Sequence, residues 1–291
     1  MGRYDIAIIG TGPAGLEAAI TAKLRNKSIL LLGSKTFSPK IEKAHTIQNY
    51  LGLPEASGPM LQSAFQKHIR QLDISITEDR VNTVYAMEDV FAIQGHRDMY
   101  EADAVILACG MSVQKPFPGE MENLGRGVSY CATCDGALFR GKSVLVLGYS
   151  REDEEEADFL SELAGEVTYL PMYPEAHAWN PKVSVKPGAV PEGIARSDKK
   201  MVLSLQDQTT LTADGIFILR TNIAPSQLVP GLKMDGNHVA VDRSCRTNIP
   251  GLFACGDITG TPYQYIKAAG EGNVAALSAA SYLAEKRSAA K

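Results

Sequence analysis

The feature that most constrains the fold of this 291-residue chain is a glycine-rich turn directly after its first apolar run. Residues 6–9 are continuously apolar, as in a parallel strand that is buried on both faces. Gly10, Gly12 and Gly15 then give the spacing GxGxxG, and a helical pattern follows. A second predicted strand at 28–32 completes a strand–helix–strand unit of the kind that binds a dinucleotide.

The middle of the chain repeats this plan in a degenerate form. Residues 142–172 predict a strand, an acidic helix and a further strand. Only Gly148 of the glycine fingerprint remains, because Ser150 and Asp153 stand at the second and third glycine positions. We therefore predict an α/β fold with two Rossmann-like domains, of which the second has a degenerate dinucleotide-binding turn.

Two later segments indicate how the domains are arranged along the chain. AVILACG at 104–110 and GLFACGDITG at 251–260 each read as a buried strand that ends at a glycine, and an Ala-rich helix follows the second. We expect both segments to belong to the first domain, with the crossings near residues 113 and 242. The prediction is a discontinuous first domain, 1–113 with 242–291, and an inserted second domain, 114–241.

Composition narrows the class of protein. Hydrophobic residues make up 45% and charged residues 21% of the chain, as in soluble globular proteins. The net charge of −4 gives no reason to expect nucleic acid or an anionic membrane as a partner. No signal-peptide pattern precedes the first strand, and no apolar run approaches the ~20 residues of a membrane span. We expect a cytoplasmic protein.

The sequence YCATCDG brings together two of the five cysteines, Cys131 and Cys134. Two thiols at this spacing can form a disulfide, and their proximity lowers the pKa of one of them. Half of a zinc site and an incidental core pair are the alternatives, but a tetrathiolate site needs a second CxxC pair, which the sequence lacks. We predict redox chemistry without a metal, and Asp135 is the candidate proton shuttle.

Five segments are spread over the whole chain in a characteristic order: GTGPAGLEAA at 10–19, IQNYLG at 47–52, ILACG at 106–110, GRGVSYCATCDG at 125–136 and LFACGDITG at 252–260. Their order and spacing resemble those of the low-molecular-weight thioredoxin reductases. In that family too, the CATC box lies between the two Rossmann-like units. The resemblance implies a homodimeric flavoprotein that binds FAD non-covalently and reduces thioredoxin through a redox-active disulfide.

The resemblance also implies roles for individual residues. Cys134 would lie next to the flavin, Cys131 would attack thioredoxin, and Asp135 would act as the acid–base residue. The glycine turn would bind the FAD pyrophosphate. An acid for the adenine ribose is missing, since Gly33 and Ser34 stand where many such units carry one. The implied FAD-binding residues are Gly10, Gly12, Pro13, Ala14, Gly15, Asn49, Gly110, Gly256, Asp257 and Tyr265.

The second unit departs from family members that are reduced by NADPH. Six of the seven residues at 152–158 are acidic, so like charges would meet a phosphate at the start of the helix. Between Arg151 and Lys182 there is no Lys or Arg for the 2′-phosphate of NADPH. We expect that this domain does not bind NADPH.

Further segments resemble a particular subgroup: YLPMY at 169–173, QLVPGL at 227–232 and PYQYIKAAGEGNVAAL at 262–277. They are similar to those of the ferredoxin-dependent flavin thioredoxin reductases of anaerobic bacteria. The resemblance implies that reduced ferredoxin supplies the electrons. The chain has too few cysteines for its own iron–sulfur cluster, which would then be carried by the partner.

Other interpretations stay open from the sequence. An NAD(P)H-dependent reductase with an atypical pocket is one, and a redox sensor or binding module that carries a flavin is another. A second flavin or aromatic ligand could also stack on Tyr149 and Tyr173, although core packing explains both residues. Candidate cations for ferredoxin docking, each of which could equally be ordinary surface charge, are Lys35, Lys40, Lys43 and Arg70. A CxxC that serves both flavin and thioredoxin predicts rotation of its domain about the two crossings.

Overall fold

The structure is a computed structural model that describes residues 2–37, 41, 46–111, 116–174, 179–220 and 224–289. By its internal contacts the chain divides into a first unit, Met1–Met111 with Ala224–Lys291, and a second unit, Ser112–Ile223. Each unit contains a parallel sheet with helices, which confirms the predicted α/β class. None of the helices in the described ranges combines the length and the apolar character that a membrane span needs.

The elements are numbered in chain order. The strands are β1 (Arg3–Ile9), β2 (Ile29–Leu32), β3 (Ile76–Thr77), β4 (Val81–Ala86), β5 (Phe91–Gly95), β6 (Met99–Leu107), β7 (Val128–Ser129), β8 (Ser143–Gly148), β9 (Glu166–Pro171), β10 (Val183–Val185), β11 (Pro191–Ser197), β12 (Lys200–Leu205), β13 (Thr210–Ala213), β14 (Gly215–Leu219), β15 (Met234–Asp235), β16 (His238–Val239) and β17 (Leu252–Ala254). The α-helices are α1 (Pro13–Leu24), α2 (Gly58–Gln71), α3 (Glu120–Asn123), α4 (Ala132–Asp135), α5 (Asp153–Leu163), α6 (Pro225–Leu228) and α7 (Tyr265–Ala289). Two short 3₁₀ turns span Gly136–Phe139 and Gly256–Thr259.

The sheet of the first unit has the order β3-β2-β1-β6-β5-β4, and β17 pairs with the carboxyl-terminal half of β6. Strands β1, β2, β3, β6 and β17 run parallel, so their carboxyl ends meet at one edge. Small residues let two helices cross closely on this sheet. A Cβ at Gly272 of α7 would lie 2.1 Å from the carbonyl oxygen of Ala14 in α1. Any side chain at this position would therefore push the two helices apart.

Residues 224–241 belong to the first unit, whereas the sequence analysis placed the second crossing near residue 242. Helix α6 packs on β4 and β16 of that unit. The Asn248 side chain joins the segment to the chain before β17, since it accepts a hydrogen bond from Lys233 N at 2.8 Å and donates one to Gly231 O at 3.0 Å. The predicted first crossing, at residue 113, lies outside the described residues.

The second unit contains a parallel sheet of order β10-β9-β8-β14-β7. An antiparallel sheet of order β11-β12-β13 accompanies it. Tyr169 on β9 and Phe217 on β14 are fully buried in the core beneath α5. The chain moves from β8 outward to β9 and β10, while β14 lies on the other side of β8. The crevice between the carboxyl ends of β8 and β14 is therefore the topological switch point, where ligands of such sheets usually bind.

Candidate active site

The CATC segment follows β7 at the carboxyl edge of the second unit's sheet. Cys131 and Cys134 are joined in a disulfide, with their Cα atoms 5.3 Å apart. Cys131 precedes α4, and its Sγ accepts a hydrogen bond of 3.1 Å from the backbone N–H of Cys134. Cys134 is exposed, while Cys131 is partly buried. The predicted pair therefore forms an accessible disulfide ring at the start of a short helical turn.

The predicted acid–base residue, Asp135, is held next to this disulfide by a buried serine. Ser129 Oγ donates to Asp135 Oδ2 at 2.7 Å and accepts a hydrogen bond of 3.1 Å from the N–H of Cys131. The N–H of Asp135 in turn donates to Cys131 O at 3.2 Å. Ser129 had no predicted role, although its position two residues before Cys131 in the motif GRGVSYCATCDG is a usable signal.

The other three cysteines lie in the first unit and are free thiols. Burial raises the pKa of Cys109 to about 11 and, together with the nearby Glu271 carboxylate, that of Cys245 to about 12. Burial also raises the pKa of Cys255 well above its usual value. Because the thiolate is the reactive form, we expect these thiols to react slowly near neutral pH. Within the described residues, no group of three or more His, Cys, Asp or Glu side chains is arranged to hold a metal ion.

The first glycine turn has the shape that a dinucleotide requires. A Cβ at Gly15 would lie 1.8 Å from Gly10 O, and one at Gly10 would lie 2.3 Å from Ala108 O, so strand and helix pack closely only with glycine. Gly12 differs, because a Cβ there would meet no described atom within 4 Å. Gly12 is also the N-cap residue of α1, so its missing side chain leaves the first N–H groups of the helix accessible to a phosphate.

Predicted residues from other parts of the chain converge near this turn. Gly256 has a φ of +86°, and a Cβ there would lie 2.9 Å from Cβ of Ala14 at the start of α1. Gly110, three residues beyond the end of β6, has a φ of +67°, and a Cβ there would meet no described atom within 4 Å. The carboxyl edge of β1, β6 and β17 thus brings together Gly10, Gly12, Pro13, Ala14, Gly15, Gly110, Gly256 and Asp257.

Asn49 and Tyr265 meet at the start of α7. Asn49 Nδ2 donates to Gln264 Oε1 at 2.6 Å, one residue before the helix begins. The Tyr265 ring packs against the small apolar cluster of Ile47 and Leu61. Contacts of Asn49 and of its neighbour Ile47 therefore attach this segment to the amino-terminal end of α7, where the helix dipole is positive.

Two side chains of α7, Lys267 and Glu271, form hydrogen bonds to the Gly256–Thr259 turn. Neither was predicted from the sequence. Glu271 Oε2 accepts hydrogen bonds of 2.8 Å from Gly256 N and from Thr259 Oγ1. Lys267 Nζ donates to Gly256 O at 3.0 Å and to Gly260 O at 2.8 Å, and it pairs with Glu271 at 3.1 Å. Lys267 and Glu271 are four residues apart and so lie on one helix face. This spacing is the sequence signal that could have predicted the pair.

In the second unit, a side chain of α5 accepts hydrogen bonds from the strand–helix turn that follows β8. Asp153, with only 1% of its surface exposed, accepts hydrogen bonds of 2.8 Å at Oδ2 from the N–H groups of Tyr149 and Ser150. Ser150 Oγ donates to the same oxygen at 3.1 Å. These N–H groups lie where such a turn presents donors to a pyrophosphate. A carboxylate of the protein therefore takes the place of an external anion.

Two tyrosines occupy the adjoining space at the end of β9. A Cβ at Gly148 would lie 2.0 Å from the hydroxyl oxygen of Tyr169. Tyr169 donates to the Tyr173 hydroxyl at 3.2 Å, and Tyr173 donates to Glu154 Oε1 at 2.5 Å. Burial and the hydrogen bond to Glu154 raise the pKa of Tyr173 to about 12, so it remains a donor at neutral pH. The end of the second strand of such a unit, here β9, is the position at which an acid or arginine usually binds the ribose or its phosphate.

An ion pair that was not predicted from the sequence lies at the crevice between β8 and β14. Arg220, directly after β14, forms a bidentate pair with the buried Glu120, with Nη2 donating to Oε2 at 2.7 Å. Tyr130 donates to Glu120 Oε1 at 2.6 Å. The guanidinium carbon lies 5.1 Å from the centre of the Phe117 ring and 5.7 Å from that of Tyr149. No local pattern signals a pair formed by residues 100 positions apart.

The candidate docking cations are only partly described. Lys35 pairs with Glu78 at 2.8 Å and lowers the pKa of that carboxyl group. Arg70 is exposed on α2. Lys40 and Lys43 lie outside the described residues. A docking surface built from these four residues therefore stays a prediction.

Comparison with known proteins places this geometry in a family. Residues 4–272 match the family described as pyridine nucleotide-disulphide oxidoreductase. A thioredoxin reductase from Peptoclostridium litorale is 33% identical, with 97% of this chain and 98% of the relative covered. A thioredoxin reductase from Treponema pallidum is also 33% identical, with coverages of 96% and 97%.

A solved structure is more similar still. The ferredoxin-flavin thioredoxin reductase from Clostridium acetobutylicum is 48% identical and superposes with a TM-score of 0.92, covering 97% of this chain and 99% of its own. The chain therefore belongs to the pyridine nucleotide-disulphide oxidoreductases and, within that class of flavoprotein oxidoreductases, to the thioredoxin reductases.

Proposed function

We propose that this protein is an FAD-dependent reductase of thioredoxin disulfides that takes its electrons from reduced ferredoxin and not from NADPH. The observation that carries the choice of donor is the Asp153 carboxylate on the N–H groups of the second strand–helix turn. The similarity to a ferredoxin-flavin thioredoxin reductase supports the same donor. We infer a cytoplasmic homodimer whose protein substrate is thioredoxin.

The first unit suits non-covalent FAD. We assign the pyrophosphate to the turn of Gly10, Gly12 and Gly15, because Gly12 offers no side-chain cap to the start of α1 and a Cβ there would meet no described atom within 4 Å. The positive end of α7 favours the negative charge that a flavin gains on reduction. When bound, FAD would collect single electrons and pass them on in pairs. The remaining assigned residues are Pro13, Ala14, Asn49, Gly110, Gly256, Asp257 and Tyr265.

Electrostatics oppose NADPH in the second unit. A pyrophosphate would have to displace Asp153 from two N–H donors and then lie next to its carboxylate. Two like charges 4 Å apart repel by ~1 kcal/mol in water and by ~4 kcal/mol at an effective dielectric constant of about 20. The crevice that would receive the nicotinamide ring holds Arg220 between Phe117 and Tyr149. Both the anion site and the ring site are thus occupied by the protein.

The CATC segment supports thiol–disulfide exchange. In the reduced enzyme, the Cys134 N–H that now donates to Cys131 Sγ would stabilise a Cys131 thiolate, which favours Cys131 as the nucleophile. Cys131 attacks the thioredoxin disulfide, and Cys134 then attacks Cys131, so that one disulfide forms on the enzyme as one breaks on thioredoxin. Asp135 carries the proton from the Cys134 thiol to the leaving thiolate.

Anaerobic turnover tests this proposal. Reduced ferredoxin should drive multiple rounds of thioredoxin reduction, and NADPH should drive none. The Cys134→Ser variant should stop at a stable mixed disulfide between Cys131 and thioredoxin, whereas Cys131→Ser should form none. Multiple turnovers by Cys134→Ser would refute the disulfide route, and multiple turnovers with NADPH would refute the donor assignment.

A further inference from the structure

Ser129 is tied to two parts of the CATC segment at once. It is the last residue of β7 and has 3% of its surface exposed. Its backbone is fixed by the pairing of β7 with β14, in which Ser129 lies opposite Phe217. Its hydroxyl donates to Asp135 Oδ2 at 2.7 Å and accepts the N–H of Cys131 at 3.1 Å. A longer contact of 3.3 Å from Ser129 Oγ to Cys131 O competes weakly for the same hydrogen.

The hydrogen bonds of Ser129 restrict the side chain of Asp135, which is the one carboxylate in the sequence YCATCDG. Without the hydroxyl, Asp135 would be free to change rotamer, because it stands at the end of a four-residue helix and is partly exposed. With it, Oδ2 is bound, and Oδ1 is left for exchange of a proton. A short hydrogen bond from a buried donor to a carboxylate is among the stronger ones in proteins.

We propose that Ser129 is a positioning residue that holds Asp135 in the orientation needed for proton transfer during thioredoxin reduction. This inference rests on the acid–base role given to Asp135 in the proposed function. Ser129 itself gains and loses no proton in the cycle. The two thiols of the reduced enzyme become a disulfide, the thioredoxin disulfide becomes two thiols, and Asp135 returns to its starting protonation state.

A double-mutant cycle tests the inference on the full-length, FAD-loaded protein. Ser129→Ala should lower kcat for thioredoxin reduction by about tenfold, which corresponds to ~1.4 kcal/mol of activation free energy. KM for thioredoxin and the rate of flavin reduction should not change, because neither depends on this proton transfer. In the Asp135→Asn background, the same Ser129→Ala change should have almost no further effect on kcat.

Two variants serve as controls. Ser129→Thr retains the hydroxyl and should recover most of the lost kcat. Ser143→Ala removes a comparable bond, from Ser143 Oγ to Asp214 Oδ2 at 3.0 Å, at the amino-terminal end of β8, and should leave kcat unchanged. The melting temperature of each variant shows whether it folds.

The outcomes separate this inference from the proposed function. Equal losses on Ser129→Ala in the native and Asp135→Asn backgrounds, or no loss in the native one, would overturn the positioning role alone. Full activity of Asp135→Asn would overturn the acid–base assignment itself. A large drop in Asp135→Asn, with coupling to Ser129, is the expected result.

Discussion

At the carboxyl end of β8, the N–H groups of Tyr149 and Ser150 both donate to the Asp153 carboxylate. The substitution Asp153→Ala would leave both partly buried donors without this acceptor. We expect it to lower the free energy of unfolding by about 2 kcal/mol, as for other lost bonds to a charged group. Glu155→Ala, an exposed acid on the same first turn of α5, should change it by less than about 0.5 kcal/mol. Urea denaturation of both variants provides the measurement, and equal effects would contradict the internal-anion interpretation.

The raised pKa values of the three free thiols predict that their reactivity changes little with pH near neutrality. The pKa of Cys109 is raised to about 11 and that of Cys245 to about 12, so raising the pH through neutrality adds little thiolate. At pH 8, about one Cys109 thiol in a thousand would be ionised, compared with about a quarter of ordinary exposed thiols. With the disulfide oxidised, a thiol reagent should therefore react slowly with the folded protein and fast with three thiols after denaturation. Rapid labelling of the folded protein at pH 8 would contradict this expectation.

At the scale of elements, α7 is bonded to the Gly256–Thr259 turn, which the proposed function assigns to FAD binding. Lys267→Met removes the ammonium group that bonds Gly256 O and Gly260 O. The turn should then lose its fixed shape, and we expect FAD to bind about tenfold more weakly, a loss typical of one charged hydrogen bond. Fluorescence titration of the FAD-free protein measures this.

The matched control lies on the same helix. Lys286 is near the other end of α7 and donates to Asp89 O at 2.6 Å. Lys286→Met should leave the FAD affinity unchanged. Equal weakening by both substitutions would indicate a general effect on α7 in place of a local one on the turn.

At the scale of the whole molecule, local sequence patterns predicted helices and strands. They did not predict contacts between residues that are far apart in the sequence. The GxGxxG spacing and the apolar runs predicted β1, α1 and β2, because each depends on residues close in sequence. The repeat of this plan predicted a degenerate second turn at Gly148. It did not predict that Asp153 turns inward, since an acidic run is equally typical of a solvated helix face.

Long-range contacts explain the rest of the difference. Asn49 meets Gln264 across 215 positions, and Glu120 meets Arg220 across 100. Such pairs depend on which strands become neighbours, which no local pattern specifies. The predicted crossing near residue 242 differed from the observed unit boundary for the same reason, because hydrogen bonds of Asn248 attach the preceding segment to the first unit.

We propose that this thioredoxin reductase accepts electrons from ferredoxin through its flavin and that its second unit does not use NADPH. The most direct test follows the visible absorbance of the flavin under anaerobic conditions, with oxidised thioredoxin present and each donor added separately. We expect rapid bleaching by reduced ferredoxin and none by NADPH or NADH. Rapid, saturable bleaching by NADPH would contradict this proposal, because a dinucleotide would have to displace Asp153 from the N–H groups of Tyr149 and Ser150.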